Sequence, residues 1–280
     1  YPRFQGRHRY DSFTYPQLGF SIAQGRLHLS KIGNLKIKLH RPIEGTIKTC
    51  TLKREVDEWY AVVACEIAEV EPVEPRSAVG IDVGLESFLA TSDSEFIANP
   101  RYLTRSLAKL RRAQRSLARK QRGGQNRNKA RLRVAKQHRT VKRQRLDFQH
   151  KVARRLVDRY DVIAIEDLNV AGLVKNHCLA RSISDVGWSS FADILAGKAA
   201  YAGQRVIRVN PAYTSQVCSG CGCLVRKELS ERWHVCPECG LSLHRDVNAA
   251  RNILKAAGAR PLGGNVEVLN SSVAQEAHVF

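Results

Sequence analysis

Through the first 72 residues apolar and polar positions alternate with the period of two that a half-buried strand requires. Leu35-Lys36-Ile37-Lys38-Leu39, Gly45-Thr46-Ile47-Lys48-Thr49-Cys50-Thr51-Leu52 and Trp59-Tyr60-Ala61-Val62-Val63-Ala64-Cys65 are the clearest runs, and they predict a small β-domain. The segment Glu71-Pro72-Val73-Glu74-Pro75-Arg76 sustains neither helix nor central strand, because proline lacks the N–H donor, and predicts a linker over residues 73–78. Val79-Gly80-Ile81-Asp82-Val83-Gly84 then reads as an apolar strand with a carboxylate in its middle, close enough to Phe88-Leu89-Ala90-Thr91-Ser92 to form a hairpin. Next the apolar spacing lengthens to that of a helix, at Leu103, Leu107, Leu110 and Leu117. Gly123-Gly124 interrupts the stripe and Val134, Val141 and Phe148 resume it, which predicts a long helical hairpin over about 101–159. Val162-Ile163-Ala164-Ile165-Glu166 has the pattern of a buried strand. A helix near 189–202, a strand over 204–209 and a last helix at about 247–257, with Asp246 at its N-cap position, complete an α/β alternation.

Charge changes the picture in one region. The chain carries 46 Lys and Arg against 26 Asp and Glu, a formal net charge of +20. Residues 101–159 hold 22 of the basic residues and only two acids, Asp147 and Asp158, so the rest of the chain is formally neutral. A solvated helix face laced with salt bridges needs acids at i,i+4, and here they are scarce. The excess therefore predicts contact with phosphate, through Arg111, Arg112, Arg115, Arg119, Lys120, Arg131, Arg133, Lys142 and Arg143. The stretch Arg7-His8-Arg9-Tyr10-Asp11-Ser12-Phe13-Thr14-Tyr15 suits either base stacking or a strand core.

No apolar run approaches the roughly 20 residues of a membrane span. No signal-peptide pattern opens the chain, so a soluble, cytoplasmic-type protein without a membrane partner is expected. The chain has no Met and opens at Tyr1, which is expected of part of a longer protein.

Cys218-Ser219-Gly220-Cys221 and Cys236-Pro237-Glu238-Cys239 are two C-x-x-C knuckles separated by fourteen residues. Four thiolates so spaced fit a closed tetrahedral Zn²⁺ site, with Gly220, Gly222 and Gly240 suited to the tight turns of the knuckles. Two disulfides are the alternative, disfavoured in a basic chain without a secretory signal. Cys50, Cys65, Cys178 and Cys223 follow no such spacing and are expected to be small buried residues.

Three acids stand at element boundaries or inside a strand: Asp82, Glu166 and Asp246. Singly, each has a dull explanation as a cap or a turn residue. Together they are a set of hard oxygen donors from separated elements, as Mg²⁺ requires.

Val79-Gly80-Ile81-Asp82-Val83-Gly84-Leu85, Ile165-Glu166-Asp167-Leu168-Asn169-Val170 and Arg245-Asp246-Val247-Asn248-Ala249-Ala250-Arg251-Asn252 resemble the three split RuvC motifs of the transposon-encoded TnpB (OrfB) nucleases. Asn176-His177, Ser182-Ile183-Ser184-Asp185, Pro211-Ala212-Tyr213-Thr214-Ser215-Gln216 and Leu229-Ser230-Glu231-Arg232-Trp233-His234 extend the resemblance over nearly the whole chain.

The resemblance implies an RNase H-like (RuvC) α/β core over 79–214 with the basic helical hairpin inserted. A zinc ribbon over 215–243, a final motif and helix over 244–258 and a tail over 259–280 would follow, with a partial wedge-like β-domain at 1–72. It implies an RNA-guided DNA endonuclease, with Asp82, Glu166 and Asp246 binding catalytic Mg²⁺ or Mn²⁺ and the ribbon holding structural Zn²⁺. Its partners would be a guide RNA from the transposon end and target DNA, in a prokaryotic cytoplasm and at the nucleoid when bound. Members of the family carry a helical recognition lobe and the start of the wedge before the point where this chain opens. A catalytically inactive or truncated RNA- or DNA-binding protein, and a transposase that itself performs strand transfer, are the alternatives. The acid order Asp, Glu, Asp favours the nuclease over the transposase.

Overall fold

The computed structural model describes residues 10–228, 231–258 and 274–279 of the chain. Leu229 and Ser230 of the last matching motif, Arg7, His8 and Arg9 of the basic aromatic stretch, and most of the 259–280 tail lie outside the described residues. The fold is mixed α/β. Its elements are β1 (Ser12–Tyr15), β2 (Phe20–Ala23), β3 (Arg26–Leu29), β4 (Gly33–Lys38), β5 (Thr46–Glu55), β6 (Glu58–Glu66), β7 (Ala78–Val83), β8 (Ser87–Thr91), β9 (Phe96–Ala98), α1 (Tyr102–Ala118), α2 (Gln125–Val157), β10 (Val162–Glu166), α3 (Val170–Leu173), α4 (Ala180–Val186), α5 (Trp188–Tyr201), β11 (Arg205–Val209), β12 (Trp233–Val235), β13 (Ser242–His244), α6 (Arg245–Gly258) and β14 (Ala274–Val279). Among the described residues no helix is long and apolar enough to cross a membrane.

The chain divides into two compact units. The first comprises residues 1–69, 112–139 and 268–280. Its sheet runs in the order β1-β5-β6-β14-β4-β3-β2, and the alternation read from sequence sends Leu27, Leu29, Ile37, Cys50, Leu52, Ala61, Val63 and Cys65 to one buried cluster. Residues 112–139 of the helical hairpin group with this unit, and so does the strand β14. The physical tie is ionic. Arg139, whose side chain is only 10% exposed, reaches Asp57 at 2.9 Å and Glu58 at 3.1 Å and donates to the Glu55 carbonyl, while Lys136 meets Asp57 at 2.6 Å. Two of the hairpin's cations are thus spent on structure.

The second unit comprises residues 70–111 and 140–267. Its five-stranded sheet has the order β11-β10-β7-β8-β9, with β7, β10 and β11 parallel and the β7-β8-β9 meander antiparallel. On one face Val79, Ile81, Phe88, Leu89, Ile163 and Ile165 pack with Val152, Leu156, Phe191 and Leu195. Phe88 meets both Phe148 and Phe191 edge-on with ring centroids 4.9 Å apart. Fully burying each such ring contributes roughly 1.5–3 kcal/mol. The opposite face is covered by α6 through Ala164, Val209, Ile253 and Ala257.

Gly80 explains how closely α6 lies. A Cβ there would sit 1.9 Å from the Ala250 carbonyl oxygen and 2.8 Å from the Leu254 nitrogen, so strand and helix touch backbone to backbone. Gly80→Ala is expected to push α6 off the sheet and to lower stability by about 1–3 kcal/mol, read by thermal or urea unfolding.

Candidate functional site

The strand pleat brings two of the three acids together. With Val79, Ile81 and Val83 turned into the main core, Gly80 and Asp82 face α6; with Ile163 and Ile165 turned inward, Ala164 and Glu166 do the same. In the parallel ladder Ile81 pairs with Ile165, so Asp82 and Glu166 occupy the next position on neighbouring strands and the same face. The third acid arrives on α6, packed on that face. Asp246 is the second residue of the helix rather than its N-cap, because the His244 ring occupies the capping role: the Asp246 N–H donates to His244 Nδ1 at 3.3 Å. Asp246 also has the Arg245 guanidinium 3.6 Å away.

Electrostatics show the three as one group. Burial first, and then the charges of Glu166 and Asp246, push the Asp82 carboxyl well above its ordinary range, with Arg245 opposing. Burial raises Glu166 as well, opposed by the Thr214 hydroxyl, which donates to its Oε1 at 2.5 Å. A buried carboxyl pushed up by two neighbouring carboxylates is relieved by a multivalent cation, and oxygen donors of this kind suit Mg²⁺ or Mn²⁺. Their oxygens are spaced more widely than the ribbon's sulfurs. Among the described residues the four knuckle cysteines alone form a metal-capable set whose ligand atoms all lie within 4.8 Å of one another.

In that set Cys218 and Cys239 sulfurs are 3.7 Å apart and those of Cys221 and Cys236 are 3.5 Å apart. A tetrahedron with Zn–S bonds of about 2.3 Å has edges near 3.8 Å, so the cluster is compatible with zinc. The knuckles repeat one backbone design: Gly222 N–H donates to the Cys218 carbonyl at 2.9 Å and Gly240 N–H to the Cys236 carbonyl at 3.0 Å, each glycine at a positive φ, +82° and +71°. Backbone N–H groups, that of Cys239 foremost, bring the Cys236 thiol down to about 6. All eight cysteines are free, so the alternative of two disulfides is not realised. Two expectations about the remaining cysteines need correction. Cys178 is exposed on a loop, and Cys223 is not an ordinary buried residue, since its sulfur lies 3.2 Å from that of Cys236.

The ribbon is fastened to the helix that carries Asp246. Asn248, fully buried, accepts from Ser219 N–H at 2.8 Å and donates to the Val217 carbonyl at 2.7 Å; Asn252 donates to the carbonyls of Thr214 and Val217. Asp185, from the Ser182–Asp185 motif, accepts from Leu103 N–H at 3.1 Å and meets Arg145 at 3.3 Å, so it anchors the start of α1. Thr214, His244, Asn248 and Asn252 acquire roles that sequence reasoning did not assign. Three of the four lay inside the matching motifs, and that was the signal available.

Of the basic candidates, Arg111, Arg112, Arg115, Arg119, Lys120, Arg131 and Arg133 are exposed, and no carboxylate among the described residues pairs with them. Lys142 is exposed and Arg143 half-buried. Arg127 closes the hairpin by donating to the carbonyls of Leu117 and Lys120. In the first unit Phe13 is exposed, edge-on to Tyr15 and Trp59, and the Arg54 guanidinium lies 5.9 Å from the Trp59 ring centroid.

Residues 60–177 match the OrfB_IS605 family, described as a probable transposase, and residues 188–253 match the Cas12f1-like TNB domain. The chain is 37% identical to a Streptomyces pristinaespiralis protein named "Putative RNA-guided DNA endonuclease", over 99% of this chain and 72% of that one. It is 33% identical to "Putative RNA-guided DNA endonuclease InsQ" of Escherichia coli K12, over 92% of this chain and 69% of that one. A chain in a structure of the Cas12f1–sgRNA–target DNA complex aligns with 87% of this chain and 66% of its own length, at a TM-score of 0.47 and 18% identity. At 37% identity across most of both sequences, and with the family match over 60–177, the chain belongs to the OrfB_IS605 family of TnpB-like proteins.

Proposed function

We propose that this protein is an RNA-guided, metal-dependent DNA endonuclease whose second unit is an RNase H-like (RuvC) core bearing the helical hairpin and a zinc ribbon. The observation that carries the reading is the convergence of Asp82, Glu166 and Asp246 on one face of the sheet, at adjacent ladder positions and under the start of α6. A sheet of order β11-β10-β7-β8-β9, parallel on one side of its central strand and antiparallel on the other, supports the RNase H-like assignment. The family relatives named as RNA-guided DNA endonucleases support the substrate.

In this reading Asp82, Glu166 and Asp246 hold Mg²⁺ or Mn²⁺, which when bound supplies Lewis acidity at the scissile phosphate and lowers the pKa of the attacking water. The chain's own residues do the rest. Thr214 fixes the Glu166 carboxylate by its hydrogen bond, leaving the second oxygen for a ligand. His244 and Arg245 sit against Asp246 and limit the swing of its side chain. Hydrolysis in this reading is direct, with water rather than a side chain attacking the scissile phosphate. The cysteine cluster holds structural zinc, and the Asn248 and Asn252 hydrogen bonds pass its rigidity to α6. Sequence is read by guide–target pairing, and the hairpin contacts phosphate. The Phe13, Trp59 and Arg54 face offers stacking for unpaired bases.

The test is cleavage. Co-expressed with the RNA encoded beside it, the protein is expected to cut guide-matched DNA in Mg²⁺ and not in EDTA. Joined transposon ends formed by this protein alone, without cleavage of matched DNA, would instead indicate a transposase. Replacing Arg111, Arg112, Arg115 and Arg119 with Gln is expected to weaken nucleic-acid binding and to flatten the slope of log K against log salt by roughly 3–4 on duplex DNA. An unaltered slope would return these residues to a solvated face.

A further inference from the structure

The ribbon contains one more thiol than a tetrahedral zinc site uses. Cys223 lies two residues beyond Cys221, with its sulfur 3.2 Å from Cys236 Sγ and with Cys221 as its other thiol neighbour. Its position is built into the knuckle: the Cys223 carbonyl accepts from Cys218 N–H at 2.8 Å, closing the turn that begins the site. Between the two cysteines stands Gly222, at φ +82° and with no atom within 4 Å of where a Cβ would be. The backbone here is held by the Gly222 N–H and the Cys223 carbonyl, so an exchange of corners is a rotation of the Cys221 and Cys223 side chains, and Cys221 itself is exposed.

A second observation shows that the pocket is shaped around sulfur. His234 is fully buried, its Nδ1 faces Lys227 Nζ, and its Nε2 has no oxygen or nitrogen partner. The Lys227 ammonium donates to Nδ1, which places the ring hydrogen on Nε2, and the Cys218 thiol is the ring's neighbour within the ribbon.

We propose that the ribbon is a five-thiol zinc site in which Cys223 can take the corner held by Cys221. The inference rests on the four-thiolate zinc reading given above. Exchange is associative and involves no redox change: the Cys223 thiol gives its proton to solvent and bonds to zinc as a thiolate. The Cys221 thiolate then departs and takes a proton, so ligand charge is conserved. Such a site tolerates the loss of Cys221 and trades zinc faster than a four-thiol site does.

The experiment uses the full chain as wild type, Cys221→Ser, Cys223→Ser and the double variant, with zinc content per chain, chelator competition, and the sulfur-to-metal charge-transfer absorption after Co²⁺ replacement. Cys223→Ser and Cys221→Ser are each expected to keep one metal with four-thiolate absorption. The double variant is expected to fall to three-thiolate absorption and to bind metal about 10–100-fold more weakly than Cys221→Ser. Equal loss in Cys221→Ser and in the double variant overturns the proposal. Should the double variant not fold, isotopic zinc exchange in Cys223→Ser decides: slower exchange than wild type supports the five-thiol site, and an unchanged rate overturns it. A wild-type chain that binds no zinc at all overturns the four-thiolate reading itself, a result distinct from either.

Discussion

Asp82→Ala is expected to abolish Mg²⁺-dependent cleavage of guide-matched DNA, by a factor of about 10³ or more, while leaving binding of RNA and DNA close to wild type. The size follows from the position. Asp82 stands between Glu166 on the adjoining parallel strand and Asp246 on α6, so its removal takes the central member from the set of oxygen donors. The arginines proposed to contact phosphate belong to α1 and α2, so retained binding distinguishes a chemical role from a folding one. Cleavage that survives in Asp82→Ala would refute the site.

Asp82→Asn adds a test of the electrostatics. In the metal-free protein the folded state holds the Asp82 carboxyl well above its unfolded value. The folded chain therefore binds this proton more tightly. The stability that goes with the proton is present below the ordinary carboxyl range and is lost as pH rises through the raised value. Asparagine removes the charge, so near neutral pH the variant should be more stable than wild type in EDTA by roughly 1–2 kcal/mol, with the gain fading in acid. A thermal-unfolding series against pH reads this directly, and a loss of stability at neutral pH would contradict it.

Removing the second knuckle, as Cys236→Ser/Cys239→Ser, is expected to take bound zinc from one per chain to near zero. It forfeits much of the roughly 10–16 kcal/mol of apparent folding free energy that a structural zinc supplies. The ribbon should then become sensitive to protease over residues 215–243. The damage should also travel. Asn248 and Asn252 hold the backbone of residues 214–219 against α6, and their hydrogen bonds lose fixed partners when the knuckles open. Cleavage is therefore expected to fail with the three acids intact. Unchanged zinc content would exclude the four-thiolate site, and full activity without zinc would separate the ribbon from catalysis.

Much of this architecture was legible because local patterns and tertiary roles agree. The period-two runs became β4, β5 and β6, the leucine stripe became α1, and the Gly123-Gly124 break separates α1 from α2. The two C-x-x-C knuckles fold into one cluster because each is a local backbone turn whose geometry depends on few distant residues. The family likeness was carried by short motifs, and it holds at 37% identity to a relative.

Other features depend on elements distant in sequence. Asp246 looked like a helix cap, yet His244 occupies that role and Asp246 faces Asp82 instead, a choice set by how α6 lies on Gly80. Cys223 carried no spacing signal, because its approach to Cys236 spans thirteen residues and exists only when both knuckles are folded. Arg139 stands in the basic run whose charge excess predicts phosphate contact, but Asp57 and Glu58 claim it across more than eighty residues. The sequence by itself determined the strands, the hairpin, the thiol knuckles and the family, since each is written in periodicity, charge density or contiguous motif. Only the tertiary structure decided which acids share a face, which cations are left for a polyanion and which thiols meet. Ladder register and helix packing set those distances, and neither is a property of any one segment.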